Sequence, residues 1–236
     1  MERHQTLRAA IDWSYNLLPL AEQVLFRRLS VFVNSWTLEA AESVCVDPSL
    51  SLRSTPSGVR NEDILNLLEQ LINKSLVMAE GMQGETRYRV LETIRQYANE
   101  KLVESGESDT LRDRHLEYFL NLAETAELHL RKAEQVEWLK RLDAEHENLR
   151  AALAWAMDKS SAELALRLAG AFGPYWEMRS YWLEGAKWLD QALGKTWDRN
   201  KKEEEAARAK VFYRRAEIAH EIDELDIEVI ETFTKK

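Results

Sequence analysis

Gly194-Lys195-Thr196 has the ending of a phosphate-binding loop, and it is the first string in this chain to test for chemistry. Such a loop cradles phosphate with backbone N–H groups, needs a glycine five residues before the Gly-Lys pair, follows a strand and opens a helix. Leu189 stands where that glycine would be, and the apolar pattern around Gly194 is that of a helix about to end. Gly194 is therefore expected to be a helix C-terminal cap with no phosphate role. His115, His129, His146 and His220 are the next candidates, as general bases or metal ligands. They are expected on separate helices, without a nucleophile or a pair of buried acids beside them. His146 lies on an apolar stripe and is read as a structural histidine. The single cysteine, Cys45, excludes an internal disulfide and a cysteine-based zinc site, and its neighbours Ala40, Ala41 and Val44 mark it as core. Helical acids such as Glu124 and Glu127 are expected to be solvated. No catalytic residue, no metal ligand and no cofactor is assigned; the chain is read as a non-enzyme.

Binding chemistry is better represented. Lys74, Arg87 and Arg89 form a small basic spot of the kind that meets DNA phosphates. The helix leading to them offers Glu62, Asp63, Asn66, Glu69, Gln70 and Asn73 on its outward face, however, and three carboxylates there would repel a duplex. Net charge points the same way: the chain carries −9 overall, with 14 acids against 11 bases over residues 1–106 and 27 against 21 beyond. DNA is thus an unfavoured partner and a protein surface a favoured one. A second candidate surface lies on the helix near residue 170, where Arg167, Gly170, Pro174, Glu177 and Met178 would line a groove. Gly170 and Pro174 stand where a clamp for C-terminal carboxylates needs Lys and Asn. The neighbouring aromatics Tyr175, Trp176, Tyr181, Trp182 and Trp188 are read as core.

These residues need elements to position them. Leu7, Ile11, Tyr15 and Leu18 predict a helix over 6–18 that Pro19 stops, and Val24, Leu25, Leu29 and Phe32 predict a second. Thr37 is placed to cap a short third helix, and residues 47–60 read as a surface loop. Asn61 would cap a fourth helix, ending near Ser75. Two short strands, 76–80 and 86–90, flank Gly81-Met82-Gln83-Gly84 as a hairpin, expected to be the only β-structure. A helix over 92–104 closes at Gly106, with Ser108 as the next cap. Helix, helix, helix, hairpin, helix is the order of a winged-helix domain, assigned to 1–106.

Residues 107–236 read as tetratricopeptide-like antiparallel helix pairs. One repeat covers 166–199, with Ala169, Phe172, Gly173 and Trp176 facing Gly185, Leu189 and Ala192. A poorer copy begins near Lys210, with Phe212, Ala216, Ala219 and Leu225 at comparable places, and looks interrupted. The fold class is mainly α with one short hairpin. No apolar run approaches the ~20 residues that cross a bilayer, and the first residues lack a signal peptide's order, so a cytoplasmic location is expected.

Several strings together resemble one bacterial family. They are Arg3-His4-Gln5-Thr6-Leu7-Arg8-Ala9-Ala10-Ile11-Asp12-Trp13-Ser14-Tyr15, Leu25-Phe26-Arg27-Arg28-Leu29-Ser30-Val31-Phe32, Asn73-Lys74-Ser75-Leu76-Val77, Tyr88 through Ala98, and Glu145 through Leu153. The chain resembles the STAND-type ATPase regulators, also described as LuxR-type or AfsR-type transcriptional regulators. The resemblance implies a winged helix that acts as a switch arm on a nucleotide-binding domain, followed by a tetratricopeptide sensor of a partner or inducer. It implies a protein partner, a nucleotide-binding domain in cis or in trans. This chain lacks that domain, and Val90-Leu91-Glu92 stands where related proteins carry a Met-His-Asp motif whose histidine contacts ADP. The alternative reading is a stand-alone winged-helix transcription factor that binds DNA.

Overall fold

The computed structural model describes residues 2–46, 61–82, 85–159, 162–198 and 200–234, the side chains of 2–6, 61, 62, 82 and 224–234 excepted. The expected surface loop 47–60 and the turn residues Gln83 and Gly84 lie outside the described residues. Two compact units form, Met1–Tyr118 and Phe119–Lys236.

In the first unit, α1 (Glu2–Asn16) is followed after Pro19 by α2 (Leu20–Arg28) and a single 3-10 turn, Leu29–Val31. Pro19 sits at the N-cap of α2, where its missing N–H costs nothing and its carbonyl accepts from Gln23 N at 3.0 Å. Next come β1 (Ser35–Thr37), α3 (Leu38–Cys45), α4 (Asn61–Asn73), β2 (Met78–Met82), β3 (Glu85–Arg89) and α5 (Glu92–Glu104). The Thr37 hydroxyl accepts from Ala40 N at 3.1 Å, which is the cap expected of it. The core holds Leu25, Phe26, Leu29, Phe32, Ile64 and Leu68, all wholly buried, and each contributes ~1.5–3 kcal/mol relative to exposure. Leu7 departs from the predicted inner stripe of α1 and is 46% exposed. An outer stripe, Ala10, Trp13, Leu17 and Leu20, is exposed as well.

The hairpin is not the only β-structure. β1 pairs antiparallel with β3, giving the order β1-β3-β2, with Trp36 opposite Tyr88 and Thr37 opposite Arg87. Trp36 is buried and stacks on Phe32 at 5.3 Å. α4 ends in a pair of back-bonds, Ser75 N to the Ile72 carbonyl at 2.8 Å and Leu76 N to the Leu71 carbonyl at 3.0 Å, with Ser75 left-handed at φ 58°. Gly106, at φ 73°, closes α5 in the conformation glycine adopts most readily. α6 (Ser108–His129) starts at Ser108 itself. The carbonyl of the preceding residue, Glu107, takes the first helical bond, from Leu111 N at 3.0 Å.

The second unit holds the rest of α6 with α7 (Gln135–Asp158), α8 (Glu163–Met178), α9 (Trp182–Gly194) and α10 (Lys202–Thr234). α10 lies against both α8 and α9, and these two pack on each other. Small residues set the spacing: a Cβ built on Gly185 would lie 2.8 Å from Ile218 Cδ1 and 3.0 Å from Trp176 Cβ. α10 begins eight residues before the predicted start at Lys210, and its register is shifted. Ala207, Val211 and Ile218 face inward, while Phe212 and Ala216 are exposed. The side chain of Leu225 lies outside the described residues. The fold is mainly α with one small antiparallel sheet, and no described helix is long and apolar enough to cross a membrane.

Candidate functional site

The basic spot named from the sequence is already engaged. Lys74, just past α4, donates to the buried carboxylate of Glu22 on α2. Arg87 is only 4% exposed and donates to the Ser35 hydroxyl at 2.9 Å and the Ser35 carbonyl at 3.0 Å, joining β3 to β1. Arg89 pairs with Glu80 across the hairpin at 2.7 Å. Asp63, Asn66, Glu69, Gln70 and Asn73 on α4 are exposed as expected; the side chain of Glu62 lies outside the described residues.

Arg27 and Arg28 join α2 to the residue that precedes α6. Arg28 donates to the Cys45 carbonyl at 2.7 Å and, with Arg27, grips Glu107. Burial alone would raise the Glu107 carboxyl, yet the hydrogen bonds from Arg28 and Arg27 outweigh it and hold it below the usual carboxylate range. Cys45 is fully buried, and loss of solvent pushes its thiol up to about 12. Leu91 is 48% exposed at the N-cap of α5, and Glu92 begins the helix, where Arg95 bonds it at 2.7 Å.

In the second unit, the face shared by α6, α8 and α10 carries a lattice of ion pairs. Arg167 on α8 forks onto Glu124 on α6 with two bonds of 2.9 Å, and lies 3.6 Å from Glu163. Glu127 on α6 is held by Lys210 and by Arg214 at 3.0 Å, both from α10. These acids, expected to be solvated, instead join three helices. The stems of Lys210 and Arg214 cross α8 over Gly170 and Gly173 to reach Glu127. Gly170 is covered by the Lys210 stem, Pro174 is buried as well, and neither lines an open groove. Glu177 and Met178 sit at the far end of α8, half-buried. Arg131 approaches Glu177 at 3.9 Å, and Gln135 Nε2 lies 3.6 Å from the Met178 sulfur. Arg167 lines a cavity of about 340 Å³ with Glu124, Glu163, Glu203, Ala206, Ala207 and Lys210.

His115, His129 and His146 each pack on an aromatic ring. His115 and His129 share α6 rather than standing on separate helices. His115 packs on Phe32 at 5.5 Å, and His129 stacks on Trp138 at 5.1 Å. His146 stacks on Tyr181 at 5.2 Å, with Nε2 3.4 Å from Glu184. Of the five clustered aromatics, Tyr175 and Trp176 are core, Trp182 and Trp188 are half-buried, and Tyr181 is exposed. Gly194 is the last residue of α9, not a left-handed cap. Lys195 turns its ammonium onto the carbonyls of Met157 and Lys159, each at 2.6 Å, at the end of α7. Among the described residues no group of three or more His, Cys, Asp or Glu could hold a metal ion.

The chain is 41% identical over 193 residues, 82% of its length, to a Mycobacterium tuberculosis protein that carries the provisional name HTH-type transcriptional regulator. A Mycobacterium bovis protein of the same provisional name matches equally. An uncharacterized protein of Mycobacterium tuberculosis is 36% identical over 116 residues, 47% of this chain and 26% of its own. The chain spans 21% of the length of each of these two regulators. No family model matches the chain. No solved structure matches it either.

Proposed function

We propose that the chain is a non-catalytic regulatory and protein-interaction part of a STAND-type signalling ATPase and transcriptional regulator. Residues 1–106 act as a winged-helix switch arm and residues 107–236 as tetratricopeptide-like repeats that sense a partner or inducer. The observation that carries the reading is the 41% identity over 82% of this chain to proteins provisionally named as transcriptional regulators. The exposed outer stripe of α1 and the turn after it, with Trp13 68% and Leu17 63% exposed, supports an arm that packs on another module. Mechanistically, a partner bound to the repeats shifts the population of arm positions by its differential affinity for them. The test is binding of this chain to a separately expressed nucleotide-binding segment from a regulator of this type, loaded with ADP or ATP. Binding that differs between the two nucleotides and is lost in Trp13→Glu is the expected result; no binding in either state removes the reading.

The HTH name of the relatives favours a second reading, a winged-helix transcription factor that reads DNA directly. The internal partners of Lys74, Arg87 and Arg89 speak against it. Fluorescence anisotropy with labelled duplexes at low and physiological salt separates the two. Sequence-selective binding that survives physiological salt selects the DNA reader, and binding that vanishes with salt selects the interaction arm.

A further inference from the structure

The cavity beside Arg167 has walls from three helices: Glu124 on α6, Glu163 and Arg167 on α8, and Glu203, Ala206, Ala207 and Lys210 on α10. Its volume, about 340 Å³, falls in the range of small-ligand sites. Both cations of the lining are paired across helices: Arg167 is forked onto Glu124 and Lys210 is tied to Glu127. Each therefore already faces a carboxylate. Glu203 does not: it is exposed and has no hydrogen bond or ion pair among the described residues. Three carboxylates against two cations leave the lining negative, and the two alanines give it a short-chain apolar floor.

We propose that this cavity is a binding site for an ammonium or guanidinium carried on an aliphatic stem, either a free alkylamine or the basic side chain of a partner peptide. The stem lies over Ala206 and Ala207, and the cationic head meets Glu203 with Glu163 behind it. An anion would have to displace Glu124 from Arg167 first, and it would lose a two-bond pair in doing so. This site deepens the reading of the repeats as the sensing face and rests on it.

The test is isothermal titration calorimetry of the full chain with agmatine, with spermidine and with an acetylated, amidated lysine tripeptide, against glutarate as the anionic control. Millimolar or tighter binding of agmatine or the tripeptide is expected, weakened about 3- to 5-fold in Glu203→Gln, as for a partly exposed ion pair. Glu205→Gln, in the same helical turn but outside the lining, should leave binding unchanged. Ala206→Leu, which fills the floor, should abolish it. Tighter binding of the free amines than of the tripeptide assigns the site to a small-molecule inducer, and the reverse order assigns it to a partner protein. The proposal is overturned if no cation binds at 20-fold the protein concentration and above, if Glu203→Gln and Ala206→Leu both bind like the parent, or if glutarate binds better. None of these results touches the arm's binding to a nucleotide-binding segment, so the two readings fail separately.

Discussion

A Cβ placed on Gly173 would sit 2.8 Å from Cγ of Arg214 and 3.1 Å from its Cβ, so α10 approaches α8 as closely as it does only because residue 173 has no side chain. The clash falls at the root of the arginine, where rotation offers little relief. Gly173→Ala should destabilise the second unit by ~1–3 kcal/mol, the range for overpacking, despite alanine's higher helix propensity. Gly194→Ala meets nothing within 4 Å and should be neutral or stabilising. Urea midpoints of the two variants, compared with the parent, check the contrast; equal shifts would refute it.

Ser75 and Ser180 both stand left-handed, at φ 58° and 56°, at the closing turns of α4 and α8. Ser180 N and Tyr181 N bond back to the carbonyls of Glu177 and Trp176, repeating the pattern at Ser75. Glycine takes this conformation without the steric penalty of a Cβ. Ser75→Gly and Ser180→Gly should each stabilise by ~0.5–1 kcal/mol, read as a higher melting temperature. A lower one in both would show that the serines contribute more than their backbone angle.

Glu107 gives a pH signature. Its folded carboxyl lies below its unfolded value, so its contribution is present above the unfolded value and is lost as pH falls through the folded one. Parent stability should decline from about pH 5 downward. Glu107→Gln should be less stable at pH 7 and lose less between pH 5 and 3, as measured by denaturant titration. A parallel pair of curves would remove Glu107 from the acid response.

Lys74 and buried Glu22 join the end of α4 to α2. Lys74→Met strands the carboxylate and should destabilise by ~1–3 kcal/mol, discounted from a fully buried pair because Lys74 is 38% exposed. Lys74→Met with Glu22→Gln should recover part of that loss. A double-mutant cycle with no coupling would leave the pair without an energetic role.

Much of this was legible in the sequence where the pattern is local. The apolar period of 3.6, the stop at Pro19, the Thr37 cap and the closing Gly106 needed only near neighbours. β1 was not legible, because three residues carry no period of their own and pair with β3 some fifty positions away. The register of α10 misled for a physical reason: Phe212 and Ala216 resemble the α8 pattern, yet the inward face is Val211 and Ile218 with the stem of Arg214 laid across Gly173. The cavity has no local signature in the sequence, because Glu124 reaches Arg167 from 43 residues away. Charge pairing across helices leaves no periodic trace in a chain.

Cys45 has a practical corollary. With one cysteine in the sequence and that thiol wholly buried, reagent attack must wait for α3 to open, so the labelling rate divided by the rate of a free thiol reads the opening equilibrium of that helix directly. The native chain is thus its own clock for local unfolding. A second cysteine placed on the surface of α9 or α10 would react first, giving a singly labelled protein without any change to the interior.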